Sequence, residues 1–137
     1  MELVVDANIL ISFFRNNPVR FIIINSNSLV VKLYAPEYAI EELLKNKSDI
    51  LKYSKLNESQ LKKVLSTISE YIEIKSDKFF KEFESTAKQF SPHDKDLPYF
   101  SLAIKLNCSI WSNEPGFKKQ SKIKIFNTLD LKNELKI

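Results

Sequence analysis

Short apolar runs rich in β-branched residues alternate along this chain with segments whose apolar residues recur at helical spacing. That alternation constrains the fold more than any single motif. Strands separated by helices pair in parallel, because a helical crossover returns the chain to the same edge of the sheet. The first run, Leu3-Val4-Val5, stops at Asp6. Ile9 to Phe14 then carries apolar residues too densely for a surface helix, as expected for one packed on a sheet. After Asn16-Asn17, Pro18 opens a second helix that reaches Asn25. Leu29 to Tyr34, closed by Ala35-Pro36, reads as the second strand. Glu37 to about Tyr53 reads as helix with a weak point near Asn46, and Asn57-Glu58-Ser59-Gln60 opens another, with Leu61, Val64, Leu65 and Ile68 on one face. Tyr71 to Ile74 alternates as a third strand. Ser76-Asp77 can cap a helix carrying Phe79, Phe80, Phe83 and Ala87, and Leu97 to Leu106 is a strongly apolar helix. Cys108 to Trp111 and Lys122 to Phe126 supply two further strands before a last helix from Leu129 to Leu135. The expected fold is a three-layer α/β/α sandwich around a central parallel sheet of about five strands. With 137 residues and no linker, repeat or low-complexity segment, residues 1–137 are expected to form a single domain.

Composition removes much of the enzyme repertoire. The single glycine, Gly116, excludes the Walker phosphate loop and the GxGxxG dinucleotide fingerprint. One cysteine, Cys108, cannot form an internal disulfide, and the lone His93 cannot join it in a four-ligand zinc site. Apolar runs of a few residues are too short to span a membrane, and Met1-Glu2-Leu3-Val4-Val5-Asp6 has no signal-peptide pattern, so a cytoplasmic protein without membrane association is expected. The net charge of +4 permits binding to a polyanion without demonstrating it. Arginine occurs only at Arg15 and Arg20, and the lysines that supply the rest suit diffuse phosphate attraction better than bidentate base reading.

In an open parallel sheet, ligands bind outside the carboxyl ends of the strands, near the point where strand order reverses. Acids fall there repeatedly. Asp6 follows the first strand, and Glu41 and Glu42 lie a turn into the helix after the second. Asp94 and Asp96 precede the helix that leads to the fourth strand, and Glu114 follows that strand in Ser112-Asn113-Glu114. Converging carboxylates raise one another's pKa unless a cation neutralises them. Hard oxygen donors without histidine or thiolate favour Mg²⁺ or Mn²⁺, which can orient and activate water against a phosphodiester.

Each of these acids also has an ordinary structural reading. Asp6 suits a strand-end turn or a helix N-cap, and Glu41 and Glu42 suit a first helical turn. Asp94 and Asp96 suit capping before Leu97-Pro98, and Glu114 suits the turn at Pro115-Gly116. Their shared edge of the sheet is what sets the functional reading above these. His93 reads as a solvated loop residue, whereas Trp111, Phe79, Phe80 and Phe83 read as core and Cys108 as a small buried hydrophobe. Lys118, Lys119, Lys122 and Lys124 form the densest basic run, equally suited to contacting phosphates and to a solvated face.

Four segments together resemble the PIN-domain nucleases, whose small members include VapC-like ribonucleases. Val4-Val5-Asp6-Ala7-Asn8-Ile9-Leu10 is similar to that family's "DTNxL" start, and Ala35-Pro36 with Glu41-Glu42-Leu43 is similar to its second acidic position. Asp96-Leu97-Pro98-Tyr99-Phe100-Ser101-Leu102-Ala103 resembles its central "D-x-P-x-x-x-L-A" segment. Ile110-Trp111-Ser112-Asn113-Glu114-Pro115-Gly116-Phe117 resembles its "W-T-N-D-x-x-F" strand and turn. The resemblance implies that Asp6, Glu42, Asp96 and Glu114 are metal-binding and catalytic acids, supported by Asn8 and Ser112 nearby; from the basic run, Lys118 and Lys119 are the candidates for contact with substrate. It further implies a Mg²⁺- or Mn²⁺-dependent endoribonuclease acting on RNA, either the toxin of a toxin–antitoxin pair with an antitoxin protein partner or an RNA-processing nuclease, and a homodimer. Two departures stand out: glutamate at 114 where aspartate is usual, and serine at 112 where threonine is usual. The second acid stays open between Glu42, which the motif indicates, and Glu41, which helical phase sets nearer Ile40, Leu43 and Leu44.

Two other readings compete. The same fold with a weakened site would act as an RNA- or protein-binding module, a role that the glutamate at 114 favours. A phosphorelay receiver would need its acceptor aspartate after the third strand, where Asp77 is better explained as a helix cap.

Overall fold

The run Leu3-Val4-Val5 forms the middle of a parallel sheet. In the structure, a computed structural model that describes residues 1–15 and 17–137, β1 (Glu2–Val5) pairs with β2 (Lys32–Pro36) on one side. β3 (Ile72–Lys75) pairs with the far side of β2. On its other side β1 pairs with β4 (Ser109–Trp111), and β5 (Ile125–Phe126) closes that edge. The order β3-β2-β1-β4-β5 is parallel at every step among the described residues. Leu3, Val4 and Val5 have no exposed surface. A strand covered on both faces reads as an unbroken apolar run, which is what this segment shows.

The crossovers supply the outer layers. α1 (Ala7–Ser12) and α2 (Pro18–Ile24) connect β1 to β2, and α3 (Glu37–Lys45), α4 (Lys47–Ser54) and α5 (Glu58–Tyr71) connect β2 to β3. Both connections step the same way across the sheet, so right-handed crossovers put these helices on one face. The chain then returns to β4 through α6 (Asp77–Phe80), α7 (Glu84–Lys88) and α8 (Leu97–Leu106) on the other face. There α8 packs on β1, β2 and β4, with α6 and α7 against it. α9 (Thr128–Leu135) follows β5. The expected three-layer sandwich with a five-stranded parallel sheet is the observed architecture. No helix among the described residues is long and apolar enough to cross a membrane.

Local sequence explains most boundaries. Asn17 accepts from the Val19 amide with Pro18 in the first turn of α2. Asn57 with Gln60, and Asn127 with Asp130, form capping boxes that start α5 and α9. The expected weak point at Asn46 is the break between α3 and α4.

Three expectations are corrected. The second strand begins at Lys32 rather than Leu29, because Val30 takes a left-handed φ of 58° inside a turn closed by Val31 N–H to Ser26 O. Turn geometry there overrides the β propensity of Leu29 and Val30. The helix expected after Ser76 is broken into α6, a 3₁₀ turn at Lys81–Phe83, and α7, and Ser76 makes no capping hydrogen bond. The break lets Phe80 be fully buried while Phe79 and Phe83 flank the Lys105 ammonium. The fifth strand is only Ile125–Phe126, since the Gln120 side chain ties up Phe117 O and both backbone groups of Ile123 in a turn.

From β1 the chain runs outward to β3, then jumps back to β4. Strand order therefore reverses between β1 and β4, and a crevice opens there at the carboxyl ends.

Candidate active site

Asp6 directly follows β1 and Ser112 directly follows β4, and the two strand ends meet through Asp6 N–H to Trp111 O. The Asp6 carboxylate is 3% exposed and uses both oxygens. Oδ1 accepts the Ile9 amide at 3.0 Å, capping α1, and Oδ2 accepts the Ser112 hydroxyl at 2.5 Å. The capping and site readings of Asp6 thus coexist in one side chain. Ser112 Oγ also accepts the Glu114 amide at 3.1 Å, which fixes the turn that carries Glu114. Asn8 Nδ2 in turn donates to Glu114 Oε1 at 3.2 Å.

Asp96 sits at the start of α8 in a 3₁₀ turn, Asp94–Asp96, yet caps no backbone amide. Pro98 removes one of the amides it could have capped. Its carboxylate instead lines a cavity of about 190 Å³ together with Asp6, Asn8, Glu42 and Glu114. Tyr99, His93, Lys95 and Phe117 complete the walls. Glu42 projects from the second turn of α3, where Tyr99 Oη donates to its Oε1 at 3.0 Å.

Electrostatics tie the four acids together. Burial pushes Asp6 up to about 6, opposed by its bonds from Ser112 and Ile9 and reinforced by the charges on Glu114 and Glu42. Burial also raises Asp96, opposed by His93 and Lys95 and reinforced by Glu114 and Glu42. A pocket in which Asp6 and Asp96 are both raised in pKa beside two further carboxylates is an environment that a cation would stabilise. The donors are all hard oxygens, which suits Mg²⁺ or Mn²⁺. Among the described residues no three carboxylate, imidazole or thiolate groups converge closely enough to hold one ion directly. An ion in this cavity would therefore have to be held partly through its own water shell.

The residues singled out from sequence divide as follows. Asp6, Asn8, Glu42, Asp96 and Glu114 come together at the cavity, and Glu41 is exposed away from it. Ser112 is 1% exposed with its hydroxyl committed to Asp6 and Glu114, so it supports the acids and offers nothing to a substrate. Lys118 does not line the cavity: its ammonium lies 2.5 Å from Asp130 Oδ2. Lys119 is absent from the walls as well, and so is Asp77. Cys108 is half-buried, and burial raises its thiol to about 11. Tyr99 and Lys95 were missed. Tyr99 lies within the strongly apolar stretch Leu97 to Leu106, although its place three residues after Asp96 puts both on one side of α8. Lys95 stands out only once Asp96 is known to point into a cavity.

The chain is similar to a chain of the crystal structure of VapBC2 from Rickettsia felis bound to a DNA fragment from their promoter. The TM-score is 0.64 at 19% identity, covering 93% of this chain and 98% of that one. At that identity the likeness speaks for the fold. No curated protein matches the sequence. The family model for the PIN domain matches residues 4–132, a span that takes in the second half of β1, the other four strands and all four acids of the cavity. The chain belongs to the PIN domain family.

Proposed function

We propose that this protein is a Mg²⁺- or Mn²⁺-dependent endoribonuclease whose site is the cavity lined by Asp6, Glu42, Asp96 and Glu114. PIN domain proteins are nucleases, and the observation that carries this reading is the meeting of those four carboxylates where strand order reverses. A bound divalent ion would supply an activated water and stabilise charge on the leaving oxygen.

The remaining work falls to the chain's own groups. Asp6 and Asp96, the two most buried acids, provide the negative potential that gathers a cation. Ser112 and the Ile9 amide fix the aim of Asp6 and oppose the burial that favours its protonation, and Tyr99 fixes the aim of Glu42. Glu114, one methylene longer than the usual aspartate, is held by Asn8 rather than left to swing. Lys95, at the wall, offers positive charge to an incoming phosphodiester.

The fold likeness to a VapBC2 structure supports a toxin role, with an antitoxin protein as partner, and a cytoplasmic homodimer belongs to the same proposal. The test is cleavage of labelled single-stranded RNA with Mg²⁺ or Mn²⁺, comparing the wild type with Asp6→Asn and with chelator. Cleavage lost in both controls supports the reading. Cleavage indifferent to both overturns it. Binding of RNA without cleavage under any divalent ion would make the protein a binding module instead.

A further inference from the structure

The only two arginines of the chain, Arg15 and Arg20, line one surface depression with Phe14, Tyr53 and Ser54. Each guanidinium rests on an aromatic face. Arg15 lies 4.9 Å from the Tyr53 ring centroid, and Arg20 lies 5.7 Å from that of Phe13, with its Nε donating to Phe13 O at 2.8 Å. Tyr53 is anchored in turn by its hydroxyl, 3.4 Å from Ile11 O. Among the described residues neither arginine pairs with a carboxylate. The terminal nitrogens are therefore pre-oriented, cationic and unspent, the condition that suits bidentate recognition of an oxyanion.

The place of the depression gives that oxyanion a source. Asn8, Ser12 and Arg15 follow one another at i, i+4 and i+7, so they share one side of α1 and the turn that continues it. Asn8 lines the acidic cavity, and none of the three is buried. From Asn8 along α1 and the turn that continues it, Arg15 lies about 10 Å further on at helical rise. A strand of nucleic acid crossing the cavity can therefore run along this stripe and reach the arginines within a few nucleotides.

We propose that Arg15 and Arg20 form an accessory phosphate-binding site for single-stranded RNA, engaging the backbone beyond the segment held at the acids. The inference rests on RNA as the substrate of the acidic cavity, but it concerns binding and does not require cleavage. A competing occupant of two free guanidinium groups is an acidic peptide segment. RNA is favoured because the arginines continue a stripe that begins at the acidic cavity, whereas a peptide carboxylate would need no such continuity.

The test measures binding of a fluorescent uridine oligomer of about ten nucleotides, a length within the range single-strand sites cover, to the Asp6→Asn protein so that cleavage cannot interfere. Arg15→Gln, exposed and safe for folding, and the double change with Arg20→Gln are compared by anisotropy across a salt series. The double variant is expected to bind about tenfold more weakly, with a log K against log salt slope shallower by about 1.4, the value for two phosphate contacts on a single strand. Arg20→Lys, which keeps the charge, checks that any loss does not come from the Phe13 contact. Unchanged affinity and slope in the correctly folded Arg15→Gln and double variants would overturn the proposal. So would arginine-dependent binding of a glutamate-rich peptide with RNA binding intact. Arginine-dependent RNA binding by a protein that never cleaves would uphold this site while removing the nuclease reading.

Discussion

The Ser112 hydroxyl donates to Asp6 Oδ2 from 106 positions away in the chain, joining the ends of β4 and β1. Ser112 Oγ in turn accepts the Glu114 amide. One small side chain therefore both stabilises a buried carboxylate and shapes the turn that presents a second acid. Ser112→Ala should remove a hydrogen bond to a charged group and leave an amide unpaired, costing about 2 kcal/mol. It should also raise the Asp6 pKa further, because the Ser112 bond lowers it. Urea melts and the pH dependence of RNA cleavage would show both effects. Full activity with an unshifted profile would remove Ser112 from any supporting role.

Asp6 itself gives a prediction with a definite sign. Its folded pKa of about 6 lies above the ordinary 3.8, so the folded chain holds this proton more tightly than the unfolded chain does. The associated stability is complete below about pH 4 and is lost as pH rises through 6. By neutral pH the loss amounts to about 3 kcal/mol. Asp6→Asn cannot ionise and keeps an oxygen for the Ile9 amide. In chelator it should therefore be more stable than the wild type at pH 7, with the gap closing near pH 4. Melting temperatures across that range test this, and a gap that ignores pH would contradict it.

Tyr99→Phe separates the hydroxyl from the ring. The ring packs against Tyr38 and Phe117 with centroids 6.0 and 6.3 Å away, and phenylalanine preserves those contacts. The bond to Glu42 is lost, together with the interaction of the hydroxyl with the Ala7 backbone. Burial and the charge of Glu42 hold the phenol far above its usual pKa, so it stays a neutral donor throughout the assay range. A stability cost of about 1 kcal/mol is expected, with several-fold slower cleavage as Glu42 loses its fixed rotamer. Unchanged cleavage at a measurable stability cost would confine Tyr99 to packing.

Glu41→Gln and Glu42→Gln form a matched pair. Glu42 lines the cavity and Glu41 is exposed, so only the second change should reduce metal-dependent cleavage, by tenfold or more. Equal effects would mean that the cavity geometry does not govern the reaction.

The same pair shows where sequence reading succeeded and where it slipped. Helical phase favoured Glu41 because Leu44 was counted in the apolar stripe, yet Leu44 is 45% exposed. The buried residues of α3 are Ala39 and Leu43, and Glu42 lies one turn after Ala39. The motif pointed to the glutamate that lines the cavity, because it encodes where α3 begins relative to β2, which a local apolar count does not. The sheet was legible because buried parallel strands leave unbroken apolar runs such as Leu3-Val4-Val5. Val30 was not legible as a turn, since its positive φ is imposed by hydrogen bonds around it and by no glycine or asparagine at that position. Lys118 illustrates the limit for charges. A basic run beside an acid suggested substrate contact, but its partner Asp130 lies in α9, 12 positions away.

Lys95 stands at the cavity wall among carboxylates, so it acts on two ligands in opposite senses. Its positive charge lowers the raised pKa of Asp96 and competes with a divalent cation for the same acids. It also attracts a phosphodiester. Removing that charge should therefore tighten metal binding while weakening substrate binding. The side chain is exposed, and screening limits each effect to about two- to threefold. For Lys95→Gln, titration of cleavage with Mn²⁺ should give a lower half-saturating concentration, whereas KM for RNA should rise. Raising salt should shrink both differences together. If the two constants moved in the same direction, Lys95 would be acting through the shape of the Asp94–Asp96 turn and not through its charge.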